Sequence, residues 1–285
     1  MEGPGRYPRL TRRRDVGTAS ARSLLMTLLG EYVLPRDRPT WTSVVVEALA
    51  ALGVEEKAAR QALARCAAEG WIGSERDGRR VHWSLTEPGR RRLTESGARI
   101  LAFGRETAEW DGRWLVIMVT VPDPHRDLRQ QLRTRLTWAG FGSPEPGVWI
   151  SPDPTREREA AEVIEALGLG GAMSFTAAYG GIGSQAAMVA RAWDLSALEA
   201  RYEDFAAEFG ALRPDDDAAA LRAQTRLVHE WQRFPFLDPR LPRELLPEAW
   251  SGAKAVDVFH ARHTEWDAAA QRGWEALESE AVQVL

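Results

Sequence analysis

Val54-Glu-Glu-Lys57-Ala-Ala-Arg60-Gln61-Ala-Leu63-Ala-Arg65-Cys66-Ala-Ala-Glu69, continued by Gly70-Trp-Ile-Gly-Ser-Glu-Arg76-Asp77-Gly78-Arg79-Arg80-Val-His82-Trp-Ser-Leu85, is the most informative stretch of this chain. Its first half strings helix formers together without a break, and Gly70 stands where a helix C-terminus favours a left-handed residue. Ala59, Leu63, Cys66 and Ala67 fall three or four apart and predict a packed face, while Lys57, Arg60, Gln61 and Arg65 present long donors elsewhere. In the second half, Trp71-Ile72 and the alternating Val81, Trp83 and Leu85 flank an Asp-Gly pair, a strong hairpin signal. The hairpin tip, Arg76 to Arg80, holds three arginines. Arginine suits bidentate contacts with guanine edges and phosphates, and an α-helix fits the major groove. A basic helix alone would read as a solvated charged face; joined to a glycine stop and an arginine-tipped hairpin it predicts a reader of double-stranded DNA. Arg60 and Gln61 are expected at base edges, with Lys57, Arg65, Arg76, Arg79, Arg80 and His82 on phosphates or in the minor groove.

Upstream, Ser20 is placed to cap a helix whose stripe of Leu24, Leu25, Leu28, Leu29 and Tyr32 stops near Pro35. Thr42 or Ser43 opens a second helix, after Trp41, with Val44, Val45, Ala48, Leu49 and Leu52 inward, and Gly53 makes the tight turn into the third. Three helices and a wing predict a winged helix-turn-helix over residues 20–85. Thr86, with Pro88 in the first turn, caps a linker helix (86–109) running through about Phe103, whose Arg90, Arg91, Arg92 and Arg99 offer a basic side to phosphates. Residues 1–19 combine Gly, Pro and the run Arg12-Arg13-Arg14, which reads either as a flexible arm reaching DNA or as a tail with no role.

The 285 residues suffice for two domains or three small ones. No apolar run approaches the roughly 18 residues of a membrane span, and the N-terminus lacks a signal-peptide core, so a cytoplasmic location without membrane contact is expected. Cys66 is the sole cysteine, which excludes an intrachain disulfide and a cysteine-clustered zinc site. Net charge is −4, yet residues 1–110 carry about +5 and residues 111–285 about −9. A basic front on an acidic body suits docking on DNA by one end.

Beyond Trp110 a second pattern begins. Trp114 to Val121 reads as a fully buried strand ended by Pro122-Asp123-Pro124, and a helix follows with Leu128, Leu132 and Leu136 inward. Phe141 to Ser143 and Val148 to Ile150 read as short strands around a Pro-Gly turn, with a helix from Thr155 to Leu167 and a last strand from Met173 to Tyr179. That order, βαββαβ, predicts a ferredoxin-like domain over 110–180. Asp123 at a strand end suggests a metal-dependent nuclease of that fold, although a turn residue is the commoner role. Gly180 to Ser184 reads as a hinge rather than a phosphate loop, since no P-loop lysine follows. Residues 181–285 are mainly helical, with stripes at Leu195, Leu198, Tyr202, Phe205 and Phe209 and at Leu221, Thr225 and Val228. His260, His263 and Glu265 read as a solvated helix face rather than as metal ligands. The fold class is therefore α+β.

One segment interrupts those helices: His229-Glu-Trp231-Gln-Arg233-Phe234-Pro-Phe-Leu-Asp238-Pro-Arg240-Leu-Pro-Arg243-Glu-Leu-Leu-Pro247-Glu-Ala-Trp250. With Trp193-Asp194-Leu195 upstream and the helix-and-wing unit in front, it resembles the PaaX family of bacterial repressors of phenylacetic acid catabolism, over roughly residues 20 to 265. The resemblance implies a homodimeric repressor of an aromatic-acid catabolic operon that binds a palindromic operator and is released by an acyl-CoA effector such as phenylacetyl-CoA. It also implies a middle domain like the small ferredoxin-like CRISPR-associated nucleases. No cofactor is expected. Four prolines stiffen the segment, which reads as a packed strap or as an effector site in the C-terminal domain, with Trp231, Phe234 and Trp250 lining a slot and Arg233, Arg240 and Arg243 meeting phosphates. Trp231-Gln232-Arg233 departs from the family's more usual Tyr-Arg, and the recognition helix lacks a Ser or Thr cap, a loss of about 1 kcal/mol. The rival class is an enzyme, a nuclease or a CoA-ester hydrolase, but neither a Gly-x-Ser-x-Gly elbow nor a His-Glu-x-x-His motif is present.

Overall fold

A computed structural model describes residues 20–105, 109–122 and 125–283, so the arginine run at 12–14 and Asp123 lie outside the described residues. The chain divides into two compact units. Residues up to 101, 212–233 and 261 onward make the first, and residues 102–211 and 234–260 the second.

In the first unit, α1 (Ala21–Leu28) starts at Ser20, whose hydroxyl accepts from the Ser23 amide while Ser23 answers the Ser20 amide, a reciprocal cap. It continues through a π-type turn over Leu29–Val33. A short strand β1 (Thr40–Trp41) leads into α2 (Thr42–Ala50), and α3 (Glu56–Ala68) follows after the turn at Gly53. Strands β2 (Ile72–Asp77) and β3 (Arg80–Leu85) pair as an antiparallel hairpin, and β1 adds a third strand that sequence spacing does not show. Thr86 accepts from the Gly89 amide at the head of α4 (Glu87–Ala102). This is the element order of a winged helix.

Its core does not close on itself. Leu24, Leu25, Leu28, Val44, Leu49, Leu63 and Ile72 share one apolar cluster with Ala220 and Leu221 of α9 (Asp217–Trp231) and with Ala270 and Trp274 of α11 (Gly252–Gln283). Tyr32 and Trp274, both fully buried, stack at 5.2 Å with ring planes 10° apart. A polar seam runs beside them: the Gln224 amide donates to Glu31, and His263 Nε2 lies 3.0 Å from Glu31 Oε2. Burial opposes charge on His263, but the hydrogen bond and charge of Glu31, joined by Asp267, raise its pKa above the ordinary value. This corrects the reading of that helix face as solvated. Its partner is a glutamate 232 positions away, which local spacing cannot reveal.

The second unit holds a four-stranded antiparallel sheet of β4 (Arg113–Met118), β5 (Gly142–Glu145), β6 (Val148–Ser151) and β7 (Met173–Ala178), ordered β5-β6-β4-β7. With α5 (Arg126–Trp138) and α6 (Glu157–Ala166) between strands, this is the ferredoxin-like arrangement. One face, through Leu115 and Ile117, packs on Leu132, Leu136, Ala160 and Ile164. The other, through Trp114 and Ile150, packs on Val189 of α7 (Gln185–Ala192) and on Leu241. The edge strand β7 stays exposed at all six residues, including Met173 and Phe175. Helix α8 (Leu195–Ala211) buries Leu198, Tyr202, Phe205 and Phe209, the predicted stripe.

Candidate nucleic-acid interface

Gly53 has φ +83°, a conformation a side chain would resist, and Val54 N–H bonds back to Leu49 O at 3.0 Å, so α3 leaves α2 through one tight turn. The inner face of α3 buries Ala59, Ala62, Leu63 and Cys66, and burial pushes the Cys66 thiol pKa up. An ion pair from Arg22 to Glu69 ties its C-terminal end to α1. With that face committed, the helical period leaves Lys57, Arg60, Gln61, Ala64 and Arg65 exposed. Arg60 Nε lies 2.7 Å from Glu56, and both side chains are more than half exposed, a pair that contributes little and yields readily to a phosphate or a guanine. As expected of its Glu55 start, α3 has no side-chain N-cap bond.

The wing turns one residue later than the Asp-Gly signal suggests. Asp77 pairs with Arg80, so Gly78 (φ +59°) and Arg79 form the two-residue turn, with the positive φ confined to the glycine. Arg79 therefore occupies the apex, exposed, with Arg76 exposed beside it. Arg80 is held differently. Its guanidinium lies 4.1 Å from the centre of the Trp41 ring and donates to the carbonyl of Ala281. His82 meets the same Trp41 edge-on at 5.3 Å. Thr42 joins wing to helix: its hydroxyl donates to Val81 O and accepts from Trp83 Nε1, each at 2.9 Å. The structure thus brings Lys57, Arg60, Gln61 and Arg65 onto one exposed stripe and sets Arg76 and Arg79 at the wing tip. Arg80 and His82 buttress the wing's base, a role marked only by the proximity of Trp41 in the sheet. On α4, Arg90 pairs with Asp37 and Arg92 stacks over Trp71, while Arg91 and Arg99 are exposed.

The proline-rich strap is divided. Trp231 is fully buried in the first unit, donating from Nε1 to Ile100 O at 3.1 Å, and Arg233 pairs there with Glu230. Phe234, Arg240, Arg243 and Trp250 belong to the second unit. There Tyr202, which the sequence marks only as one member of a helical stripe, is the hub. Phe234 stacks on it at 4.3 Å, Trp250 meets it edge-on at 5.8 Å, and its hydroxyl donates to Asp238 at 2.6 Å. Asp238 also accepts from the Arg240 amide at 2.6 Å, and burial raises its pKa. Arg240 has φ +57°, a strained value for a side-chain-bearing residue, and Arg243 is exposed. The six residues are not gathered into one slot.

Among the described residues no three His, Cys, Asp or Glu side chains lie together as metal ligands, and no helix is long and apolar enough to cross a membrane. Asp123, on which the nuclease alternative rests, is outside the described residues. Three family descriptions match the chain in tandem: PaaX-like protein over residues 20–89, PaaX protein central Cas2-like domain over 107–189, and PaaX-like protein C-terminal domain over 193–276. The transcriptional repressor PaaX of Escherichia coli (strain K12) is 32% identical over 247 residues, covering 83% of this chain and 77% of that protein. Among solved structures, the uncharacterized protein Rv0674 from Mycobacterium tuberculosis matches with a TM-score of 0.59 and 24% identity, over 90% of this chain and 98% of that one.

Proposed function

This chain belongs to the PaaX family of transcriptional repressors, and from that premise we propose that it represses an aromatic-acid catabolic operon as a homodimer released from its operator by an acyl-CoA such as phenylacetyl-CoA. The exposed stripe of Lys57, Arg60, Gln61 and Arg65, beside a wing with arginine at its apex, carries the DNA part of this proposal. In it α3 enters the major groove, Arg60 and Gln61 face base edges, and Lys57, Arg65, Arg76 and Arg79 neutralise phosphates. Two such units related by a two-fold axis read the halves of a palindrome. Release requires that the effector bind more tightly to a dimer whose half-site spacing is wrong than to one whose spacing is right.

Fluorescence anisotropy on the duplex upstream of the protein's own gene, against a scrambled duplex, tests the proposal. Specific binding that falls steeply with salt and is released by phenylacetyl-CoA is expected. Equal affinity for both duplexes would overturn the operator reading. Specific binding indifferent to phenylacetyl-CoA would overturn this choice of effector alone.

A further inference from the structure

The second unit carries a cleft of about 370 Å³ where α5, the β5–β6 hairpin and the α7–α8 junction meet. It is lined by Arg133, Thr137, Trp149, Arg191, Trp193 and Leu195, among others. The strap motif and Trp193-Asp194-Leu195 both carry the family resemblance, and the latter forms this wall. Trp193 is pressed against β5 at Gly142, where an added Cβ would come within 2.5 Å of the indole, and it stacks on Trp114 at 6.3 Å. The leucines of the strap, Leu241, Leu245 and Leu246, pack in the same apolar cluster as Trp193 and Leu195. The wall is therefore rigid and backed.

Its chemistry is that of an anion site with a flat apolar floor. Arg133 and Arg191 bring two cations, of which Arg191 is shared with Glu145 at 3.0 Å through largely exposed side chains. Asp194 does not supply the counter-charge, because its Oδ1 accepts from Ser196 Oγ and from the Ala197 amide at the head of α8. Trp149 is only 5% exposed, yet neither its Nε1 nor that of Trp193 has a hydrogen-bond acceptor. A buried donor left unpaired costs about 1–3 kcal/mol, so two on one cleft wall call for an acceptor that enters it.

We infer that this cleft binds the acyl end of the effector, a flat aryl group lying on Trp149 and Leu195, with its carbonyl or carboxylate oxygen facing the two indoles and the arginines. The volume fits this, being at the small end of the roughly 300–1,000 Å³ of ligand pockets, enough for an aryl-acyl group and too small for a whole nucleotide thioester. The inference rests on the effector proposal above and places the ligand away from the strap's own arginines.

Calorimetric titration of the full chain with phenylacetyl-CoA, phenylacetate and CoA as separate probes tests it. Thr137→Trp, which fills the cleft from the exposed face of α5, and Arg133→Ala should each weaken phenylacetyl-CoA at least tenfold, with circular dichroism reporting that the fold is kept. Cleft variants that bind like the wild type, loss confined to Arg243→Ala in the strap, or a wild type that binds none of the three probes would each overturn the site. Phenylacetate binding that Thr137→Trp abolishes, without release of DNA by phenylacetyl-CoA, would support the cleft and sink the effector proposal. DNA release that Thr137→Trp leaves untouched would do the reverse.

Discussion

At the scale of single residues, Arg60 and Arg79 differ in what they can know about a DNA sequence. Arg60 projects from the middle of α3, where a bidentate contact distinguishes guanine, whereas Arg79 sits at a hairpin apex suited to phosphate. Arg60→Ala is expected to cost about 1–3 kcal/mol of operator affinity and to relax discrimination at one base pair. Arg79→Ala should weaken operator and scrambled duplexes about alike. A specificity profile unchanged in the Arg60 variant removes that residue from base readout. The stripe itself was legible in advance because helical period alone separates Lys57, Arg60, Gln61 and Arg65 from Ala59, Leu63 and Cys66. The fates of Arg80 and His82 were not, since they depend on Trp41, an aromatic about 40 positions away brought alongside by an unforeseen strand.

Two elements carry predictions of their own. The seam joining the π-type turn to α11 titrates. The pKa of His263 is raised in the folded state, so its contribution to stability is complete below the unfolded value of about 6.5 and is lost as pH rises through the higher folded value. The melting temperature should therefore fall as pH climbs above about 6.5, and Glu31→Gln, which removes the charge facing His263, should flatten that fall. Equal pH slopes in wild type and variant would contradict the assignment. Strand β7 poses a different question. Met173-Ser-Phe175-Thr-Ala-Ala178 ends the sheet with no charge, no proline and every residue exposed, whereas lone edges are normally protected by such devices. A second copy of β7 laid antiparallel would satisfy the edge and give the two-fold assembly proposed above. Phe175→Lys should then halve the mass measured by light scattering, and an unchanged mass would move the dimer contact elsewhere. The strand order of this sheet could be anticipated from βαββαβ; its bare edge could not, because exposure depends on what the remaining chain leaves uncovered.

For the whole molecule, the unexpected result is that the C-terminal helices complete the N-terminal core. Ser20, Gly53 and Thr86 announce their elements through neighbours three or four residues away, but Tyr32 finds Trp274 at the far end of the chain, and nothing local in either records the other. Trp274→Ala should remove about 3–5 kcal/mol of stability and, in urea denaturation, lower the midpoint for the unit that bears α3, although the substitution lies far from any DNA contact. Retention of the wild-type midpoint would show that this stack contributes nothing. The same closure sets a clock on synthesis. At roughly 5–20 residues per second, the ribosome makes Ala261 on the order of 10 to 30 s after Leu101, so the base-reading helix emerges well before the residues that seat it. Nascent and prematurely terminated chains are thus expected to leave the operator to finished copies, which makes completion of translation a condition for repression.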